Sequence, residues 1–305
     1  MGAMPELPDI ALYIERLRAL TVGETLNAFE VTSPFFLRTV EPPLHELEGR
    51  VVRNWMRLGK RLVMDCGDEL YAVIHLMIAG RLRWRKSGSR VGGKSALATL
   101  HFPAGSLWVT EASTRKRASL HVVRGSEELA LHDRGGVEPL SASLESFREA
   151  LLRENRTLKR AMTDPRIFSG IGNAYSDEIL FHAKLSPMRL TGKLEDAEIA
   201  RLYRSTQAIL NEWVERFRAE VGDGFPEKVT AFRPEMRVHG KYKEPCSECG
   251  SPIQRIRYAA NECNYCAKCQ NAGRLLADRS LSRLLKKDWP KTLEELETIK
   301  AQARR

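Results

Sequence analysis

The sequence lacks long apolar segments and has little cysteine outside one C-terminal stretch. No run approaches the roughly 18 apolar residues that a membrane-spanning helix requires, and no leader with charged, apolar and small-residue parts opens the chain. Of the six cysteines, only Cys66 lies outside residues 246–269. We therefore exclude a membrane protein and a secreted disulfide scaffold. We expect a cytoplasmic protein in which Cys66 is a buried core thiol.

Acidic residues are outnumbered by basic ones. The 305 residues include 49 Lys+Arg and 39 Asp+Glu, which gives a formal net charge of +10. Such a charge favours a polyanionic partner, with nucleic acid as the leading candidate, although basic proteins without such a partner also exist. The length predicts two or more domains.

The C-terminal cysteines have the spacing of a zinc site. Two Cys-x-x-Cys pairs are separated by sixteen residues: Cys246, Cys249, Cys266 and Cys269. Two turns with this spacing can present four thiolates to a tetrahedral zinc ion. We expect zinc to supply most of the folding free energy of so small a module.

One alternative register uses Cys263 in place of Cys269. We prefer the pair Cys266 and Cys269, because the intervening segment then has room for two short strands. These are predicted at Ile253–Tyr258 and Cys263–Tyr265, joined by a tight turn.

Up to about residue 130 the sequence predicts one helix and then strands. The helix is expected from about Asp9 to Thr21, and Lys86–Lys94 has the composition of a mobile hairpin loop. Short runs rich in β-branched and aromatic residues favour an antiparallel sandwich or barrel. The predicted strands are Val51–Trp55, Arg61–Asp65, Leu70–Leu76, Leu97–Phe102, Leu107–Thr110 and Ser119–Val123.

After a linker near Arg134–Ser143, apolar residues recur at helical spacing. The predicted helices are Leu144–Arg153, Thr157–Met162, Ala174–Ala183 and Ala197–Phe217. Gly170 and Gly172 allow a tight turn with exposed amides, and Asn173 can cap the next helix, which makes a phosphate-binding helix start. Taken alone, a purely structural turn explains these glycines equally well.

The N-terminal residues suggest covalent chemistry. Initiation at Met4 and removal of that methionine would leave Pro5 as a free secondary amine beside Glu6. An α-amino group titrates near ~8, so part of it is unprotonated at neutral pH and can attack an aldehyde-level carbon. The alternative is a stiff, disordered start.

Seven motifs along the chain match one family in order and spacing. They are Pro5-Glu6-Leu7-Pro8, Gly59-Lys60 before a strand, Ile74-His75-Leu76, Gly-Val-Glu-Pro-Leu at 136–140, Gly-Ile-Gly-Asn-Ala-Tyr at 170–175, His239-Gly240-Lys241, and Cys246 through Gln270. From Pro5 to about Gln270 the chain thus resembles the formamidopyrimidine-DNA glycosylase and endonuclease VIII family of base-excision enzymes.

The resemblance implies an α+β fold with three parts. An N-terminal β-sandwich catalytic domain with an N-terminal helix is expected over 1–133, and a helix–two-turn–helix domain over 134–240. A C-terminal β-hairpin zinc finger is expected over 241–273. A basic extension, 274–305, follows. We expect a monomer that binds double-stranded damaged DNA, in a bacterial, nucleoid-associated setting.

The same resemblance implies a glycosylase with abasic-site lyase activity. The amine of Pro5 would attack C1′ of the sugar and expel the base, Glu6 would help to protonate the ring oxygen, and β-elimination would follow. Lys60 matches the lysine that contacts phosphate or lesion, although a solvated lysine is the simpler interpretation of that residue alone. Phosphate contacts are expected from the Asn173 turn, with Lys241 and Arg257 as additions.

Several positions depart from the family pattern. Met77-Ile78-Ala79 follows His75-Leu76, so either Ile78 or Met77 is the apolar wedge for the gap left by a flipped base. Residues 111–117 replace the usual loop and lack its aromatic residue, which leaves Arg115 or Arg117 to face the orphaned base or to contact phosphate. Asn261 stands where an arginine is usual. Residues 221–228 lack the threonine-rich character of enzymes that excise 8-oxoguanine, so that base is not expected to be the main substrate.

The extension after residue 273 predicts a basic amphipathic helix and a second helix after Trp289-Pro290. Packing on the body, binding DNA and binding a protein partner all stay open for it. Three functions are considered for the whole chain: a bifunctional glycosylase, a damaged- or abasic-DNA-binding protein with little turnover, and an ordinary zinc-ribbon protein. The first explains the most motifs.

Overall fold

The computed structural model describes residues 4–227, 229, 232–258, 261–277 and 290–302. The chain forms two compact units. Unit 1 comprises Met1–Gly136 and Asn211–Ala231, and unit 2 comprises Val137–Leu210 and Phe232–Arg305. Among the described helices, none combines the length and the apolar character needed to cross a membrane.

Unit 1 is a β-sandwich that follows an N-terminal helix. Its elements are α1 (Leu7–Thr21), β1 (Ala28–Val31), β2 (Asn54–Leu58), β3 (Arg61–Asp65), β4 (Leu70–His75), β5 (Gly80–Arg85), β6 (Ala96–Phe102), β7 (Gly105–Glu111), β8 (Ser119–Arg124) and α2 (Ser126–Ala130). One antiparallel sheet has the order β1-β6-β7-β5 and the other β2-β3-β4-β8. Alternate residues of both sheets share one apolar core with α1. The predicted sandwich is confirmed.

Helix α1 begins two residues earlier than predicted. Leu7 and Pro8 form its first turn, which a proline tolerates because the amide it lacks has no partner within the helix. The Asp9 carboxylate accepts a hydrogen bond of 2.9 Å from the Glu6 N–H, which fixes the start. The apolar face of the helix enters the core through Ile10, Tyr13, Ile14 and Leu17.

Two strands of unit 1 were not predicted, and one connection differs from the prediction. Strand β1 is short, and the alternating arginines of β5 hide a core position at Leu82. Residues 86–95 join β5 to β6, but β7 lies between these strands in the sheet. The prediction of a hairpin loop at Lys86–Lys94 is therefore wrong, because a hairpin joins strands that pair with each other.

The edge of β8 is covered by an earlier segment of the chain. The Arg38 N–H donates to the Leu120 carbonyl at 2.8 Å, and the Val122 N–H donates to Thr39 Oγ1 at 2.8 Å. Leu37 and Leu120 form a parallel bridge at the same place. Residues 37–39 thus take up backbone hydrogen-bonding groups that the strand edge would otherwise expose.

Unit 2 is mainly helical and contains a two-stranded hairpin towards its C-terminal end. Its elements are α3 (Leu144–Leu152), α4 (Leu158–Thr163), α5 (Asn173–His182), α6 (Asp196–Val221), β9 (Gln254–Tyr258), β10 (Asn261–Tyr265), α7 (Ala267–Asn271) and α8 (Leu293–Gln302). The second half of α6 belongs to unit 1. The predicted helix after Pro290 corresponds to α8, whereas the predicted amphipathic helix before it lies largely outside the described residues.

Candidate functional site

Pro5 and Glu6 lie at the buried start of α1. Pro5 is buried, and Glu6 is 3% exposed. The N-terminus of a helix carries a partial positive charge, which favours a carboxylate at this position. The sequence therefore folds locally so that Glu6 is held beside the nitrogen of Pro5.

The first turns of α1 lie against the start of β5. The Leu82 N–H donates to the hydroxyl of Tyr13 at 3.3 Å. Burial raises the pKa of Tyr13, so this phenol stays neutral. Arg81 interacts electrostatically with both Asp9 and Tyr13, and burial lowers the pKa of its guanidinium. These contacts place the Pro5–Glu6 end of the helix near Arg81.

Arg81 also anchors two backbone segments. Its Nε donates to the Val229 carbonyl at 2.7 Å, and its Nη1 donates to the carbonyls of Gly80 at 2.6 Å and Ile78 at 3.2 Å. The Phe225 ring lies 5.7 Å from the Tyr13 ring. The segment that follows α6 is therefore fastened to the sandwich, a feature that the sequence analysis missed.

The turn between β4 and β5 presents an apolar side chain to solvent. Met77 is half-buried and has a φ of 53°, in the left-handed region. Ile78 is 41% exposed. Of the two candidates for the apolar wedge, Ile78 is the one that projects outward.

The loop at 111–117 lies beside that turn. The Ala112 N–H donates to the Ala79 carbonyl at 3.4 Å. Glu111 is 1% exposed, and its carboxylate accepts the Arg117 N–H at 2.9 Å. This hydrogen bond holds the two ends of the loop together. The side chains of Arg115 and Arg117 are exposed. The loop thus carries two arginines at its surface next to Ile78.

Lys60 lies in the β2–β3 turn after Gly59, whose φ is 62°. The next residue, Arg61, pairs with His75 across the sheet. Burial, then Arg61 and Lys60, lower the pKa of His75 to about 4, so the imidazole is neutral at pH 7. His75 can therefore donate or accept a hydrogen bond without carrying charge.

These features gather at one end of unit 1. Lys60 and His75 share one end of their sheet, and the chain runs from His75 through the Ile78 turn directly to Arg81. Arg81 in turn interacts with Asp9 in the first turn of α1. The structure thus brings the Pro5 end of the helix, the Lys60 end of the sheet and the Ile78 turn to the same region.

In unit 2, the glycine turn leads into α5 as predicted, but Asn173 does not cap the helix. Gly172 takes the N-cap position with an extended backbone, and Asn173 is the first helical residue. Its Nδ2 donates instead to the Glu262 carbonyl in β10 at 2.8 Å. The capping prediction is wrong because this side chain is engaged by the hairpin.

A buried ion pair supports the same helix start. Lys159 Nζ lies 2.5 Å from Asp177 Oδ1 and donates to the Asn173 carbonyl at 2.7 Å and to Ser176 Oγ at 2.8 Å. Lys159 is 7% exposed and Asp177 1%. Burial alone would raise the pKa of Asp177, but the charges of Lys159 and His239 lower it on balance.

The network continues to the hairpin and to residues 237–239. Asp177 Oδ2 lies 2.8 Å from His239 Nδ1 and accepts the Asn264 N–H at 3.1 Å. The carboxylate of Glu178 accepts the amides of Arg237, Val238 and His239 at 2.8–2.9 Å. Burial raises the pKa of Glu178 in spite of these bonds. Two acidic residues inside an otherwise buried helix were the only sequence signal for this network.

We expect Lys159→Met to destabilise the protein by about 3–5 kcal/mol, because it leaves Asp177 charged and without its lysine in the interior. Folding lowers the pKa of Asp177, so the charged carboxylate stabilises the folded state. This stabilisation is fully present above the pKa of Asp177 in the unfolded state, and it is lost as the pH falls through the pKa of Asp177 in the folded state. Urea unfolding measures the loss. Lys184→Met is the matched control, because its pair with Glu248 is exposed and is worth under about 1 kcal/mol. Equal losses in the two variants would contradict the prediction.

Four thiols of the hairpin module cluster as a metal site. The sulfur atoms of Cys246, Cys249, Cys266 and Cys269 all lie within 4.8 Å of one another. The pairs Cys246–Cys269 and Cys249–Cys266 are 4.0 and 3.4 Å apart. Tetrahedral zinc with bonds of about 2.3 Å requires sulfur separations of about 3.8 Å, so the donor set fits that ion. Cys263 is buried outside the cluster, an arrangement that favours the preferred register.

The other predicted DNA contacts of unit 2 lie around the hairpin. Lys241 Nζ is 3.1 Å from Glu244 Oε2, and Arg257 is exposed on β9. The backbone of Asn261 pairs with Tyr258 at the hairpin end, but the side chain of Asn261 lies outside the described part of the structure.

A sandwich that begins with a short N-terminal helix, a glycine turn at a helix start and a four-cysteine hairpin are typical of the helix–two-turn–helix DNA glycosylases. Residues 4–133 match the formamidopyrimidine-DNA glycosylase N-terminal domain, and residues 136–222 match the formamidopyrimidine-DNA glycosylase H2TH domain. The chain belongs to the formamidopyrimidine-DNA glycosylase family. The suspected family is confirmed.

Similar proteins extend over most of the chain. The formamidopyrimidine-DNA glycosylase of Thermus thermophilus is 32% identical over 285 residues, which covers 88% of this chain and all of that protein. The structure of MutM in complex with DNA containing carbocyclic 8-oxo-G has a TM-score of 0.77 at 27% identity, covering 88% of this chain and 100% of that one. Lactococcus lactis Fpg in complex with abasic-site DNA has a TM-score of 0.75 at 27% identity, covering 87% and 99%.

Proposed function

We propose that this protein is a base-excision DNA glycosylase with abasic-site lyase activity, in which the N-terminal amine of Pro5 is the nucleophile. The observation that carries the proposal is the position of Pro5 and Glu6 at the buried start of α1, in the region of Lys60 and the Ile78 turn. Membership of the family, and the DNA complexes of the solved relatives, support the reaction class.

The chemistry follows from the groups at that site. The nitrogen of Pro5 attacks C1′ of the sugar, and the bond to the damaged base breaks with its electron pair leaving on the base. Glu6 supplies a proton to the ring oxygen as the sugar opens to an iminium. The iminium makes a C2′ proton acidic. Loss of that proton expels the 3′ phosphate, and water then releases the protein.

Residues around Pro5 bind the flipped nucleotide and its gap. Lys60 contacts phosphate or lesion, and neutral His75 donates a hydrogen bond to phosphate. Ile78 enters the gap, and Arg115 and Arg117 face the orphaned base or the adjacent backbone. An apolar wedge of this kind offsets part of the unstacking cost of a few kcal/mol.

Unit 2 contributes contacts to the DNA backbone. The amides at the start of α5, near Asn173, form an anion site of the kind that helix N-termini provide. Lys241, Arg257 and Asn261 add contacts from the hairpin region. Contacts of this type position DNA without reading its sequence.

One zinc ion would be held by Cys246, Cys249, Cys266 and Cys269, which leave no open coordination position. Its role is structural, because four thiolates saturate a tetrahedral ion. The protein acts as a monomer on double-stranded damaged DNA, in the cytoplasm and on the nucleoid.

The test is a substrate panel with protein that begins at Pro5. We expect cleavage of abasic-site duplex, excision of at least one oxidised pyrimidine or ring-opened purine, and no product from undamaged duplex. Multiple turnover distinguishes an enzyme from the alternative, a damaged-DNA-binding protein. That alternative draws support from the loop that carries Arg115 and Arg117 without an aromatic residue. Selective binding with no product from any duplex would favour it.

DNA affinity is expected to fall steeply with salt. Each phosphate neutralised by a cationic side chain contributes a slope of about −0.9 in log affinity against log salt. Six or more contacts would weaken binding about 1,000-fold or more between 50 and 200 mM salt. Fluorescence anisotropy with an uncleavable abasic analogue measures the slope, and a nearly flat dependence would exclude the backbone contacts proposed above.

A further inference from the structure

A group of cationic and imidazole side chains lies on the outer face of the β2-β3-β4-β8 sheet. Residues alternate between the two faces of a strand. Because Leu62, Ile74 and Leu120 enter the core, their neighbours Arg61, His75 and His121 lie on the opposite face.

The end of the α2 region covers this face. The rings of His121 and His132 are 4.7 Å apart with an interplanar angle of 58°. Arg61 interacts electrostatically with both imidazoles and with Arg134. Arg38 adds a further positive charge near His121. The segment after α2 thus contributes His132 and Arg134 to a cluster of cationic and imidazole side chains on this face.

Few acidic groups offset these charges. Asp133 is near Arg61, but its Oδ1 already accepts the Gly135 N–H at 2.9 Å. Glu128 is near His132, and its Oε2 accepts the Arg124 N–H at 3.0 Å. Within the described part of the chain, the half-buried guanidinium of Arg61 has no carboxylate within ion-pair distance.

A half-buried arginine among imidazoles is a site for an anion. Arginine offers a planar fork of donors that matches phosphate, and neutral imidazoles add N–H donors. A metal cation is disfavoured, because Arg61 would repel it. We propose that Arg61, His121 and His132, with Arg134, bind a DNA phosphate beyond the phosphates that Lys60 and His75 contact. This inference rests on the proposed function and names further residues for it.

The position of the group supports DNA as the source of that phosphate. Lys60 lies in the β2–β3 turn, and Arg61, the next residue, is the first residue of β3. The cluster of Arg61, His121, His132 and Arg134 is therefore continuous with the proposed active-site end of the sheet. His121 lies two residues along β8 from Ser119, the partner of His75, which corresponds to about 6.6 Å along a strand. A second phosphate of the same DNA strand can therefore reach it while the first stays near Lys60.

Binding of a phosphate at this site should make the affinity for DNA depend on pH. Burial, then His132 and Arg61, lower the pKa of His121 to about 4 in the free protein. Burial and Arg61 also lower the pKa of His132. A bound phosphate favours the charged imidazole and raises both values, so DNA binding takes up protons. Affinity for DNA should rise as the pH falls from 8 to 6.

The experiment compares wild-type protein with Arg61→Gln and with the double variant His121→Gln, His132→Gln. Anisotropy titrations use an uncleavable abasic duplex of 24 base pairs over a range of salt concentrations and at pH 6 and 8. We expect Arg61→Gln to reduce the salt slope by about 1 and to weaken binding about 5- to 10-fold at 0.1 M salt. The double variant should show a smaller rise in affinity from pH 8 to pH 6 than the wild-type protein, with His75 left as the remaining imidazole near phosphate.

Arg124→Gln is the matched control, because Arg124 lies at the other end of β8 and pairs with Glu46. It should keep the wild-type slope. Thermal unfolding checks that each variant is folded. An unchanged slope in folded Arg61→Gln, or an unchanged pH dependence in the double variant, would overturn the inference. Single-turnover cleavage of abasic DNA at saturating protein tests the proposed function separately, since absence of cleavage by wild-type protein counts against that function alone.

Discussion

Protein that begins at Pro5 should form a covalent adduct with abasic DNA on borohydride reduction, whereas protein in which Met4 or any longer segment precedes Pro5 should form none. With Met4 in place, the nitrogen of Pro5 is a tertiary amide whose lone pair is delocalised into the carbonyl. A free α-amino group titrates near ~8 and keeps a nucleophilic fraction at neutral pH. We expect the blocked protein to lose at least about 1,000-fold in lyase rate.

The comparison needs intact mass to establish each N-terminus, and DNA binding by both forms as a control for folding. Glu6→Gln in protein that begins at Pro5 separates two roles. An abasic aldehyde needs no base expulsion, so this variant should still be trapped on abasic DNA while it loses excision of a damaged base. Equal trapping of blocked and free protein would contradict the assignment of Pro5 and would move the search to an internal lysine, with Lys60 first.

Removal of zinc should unfold the hairpin module and abolish tight DNA binding. The module has a small apolar core, in which Phe181, Val238 and Ile253 pack with cysteines of the cluster. So little buried surface cannot offset the entropy of ordering the chain, and binding of structural zinc to such modules contributes about 10 kcal/mol or more. We expect one zinc ion per chain by elemental analysis, and loss of DNA affinity in parallel with zinc release to a chelator.

Two cysteine substitutions make this prediction specific. Cys269→Ser removes a proposed ligand and should lower zinc content and DNA affinity together. Cys263→Ser changes a thiol that is buried outside the cluster and should keep the ion. Retention of zinc by Cys269→Ser together with its loss from Cys263→Ser would show that the other register holds the metal.

Unfolding of the module would also reach the start of α5. The Asn173 side chain is bonded to the Glu262 carbonyl, and Asp177 accepts the Asn264 N–H, both in β10. These bonds would be lost with the hairpin. We therefore expect hydrogen exchange at the first amides of α5 to increase when zinc is removed.

Local patterns were sufficient to predict the parts of the fold whose signals lie close together in the chain. The paired cysteines identified the thiol cluster, and the apolar spacing identified the helices of unit 2 to within a few residues. Strand β5 was missed because Leu82, between Arg81 and Arg83, is its one fully buried apolar side chain, and the resulting pattern resembles an exposed loop.

Features that join distant residues had little or no local signal. The contact from Arg81 to Val229 connects positions 148 residues apart, and nothing near either residue indicates it. The bond from Lys159 to Asp177 likewise joins separate helices, so the lysine looked like a surface residue of an amphipathic segment. Whether a charged side chain is buried depends on tertiary packing. The spacing of apolar residues at intervals of three or four along the sequence does not indicate it.

Residues 37–39, which we call the strap because they cover the edge of β8, affect the tendency of the protein to aggregate at high concentration. An uncovered strand edge offers its amides and carbonyls to any other extended chain and so invites edge-to-edge aggregation. By donating from Arg38 to Leu120 and by accepting from Val122 through Thr39, the strap leaves β8 a poor template for a second molecule. The colloidal stability of this sandwich therefore depends in part on three residues that lie outside both of its sheets.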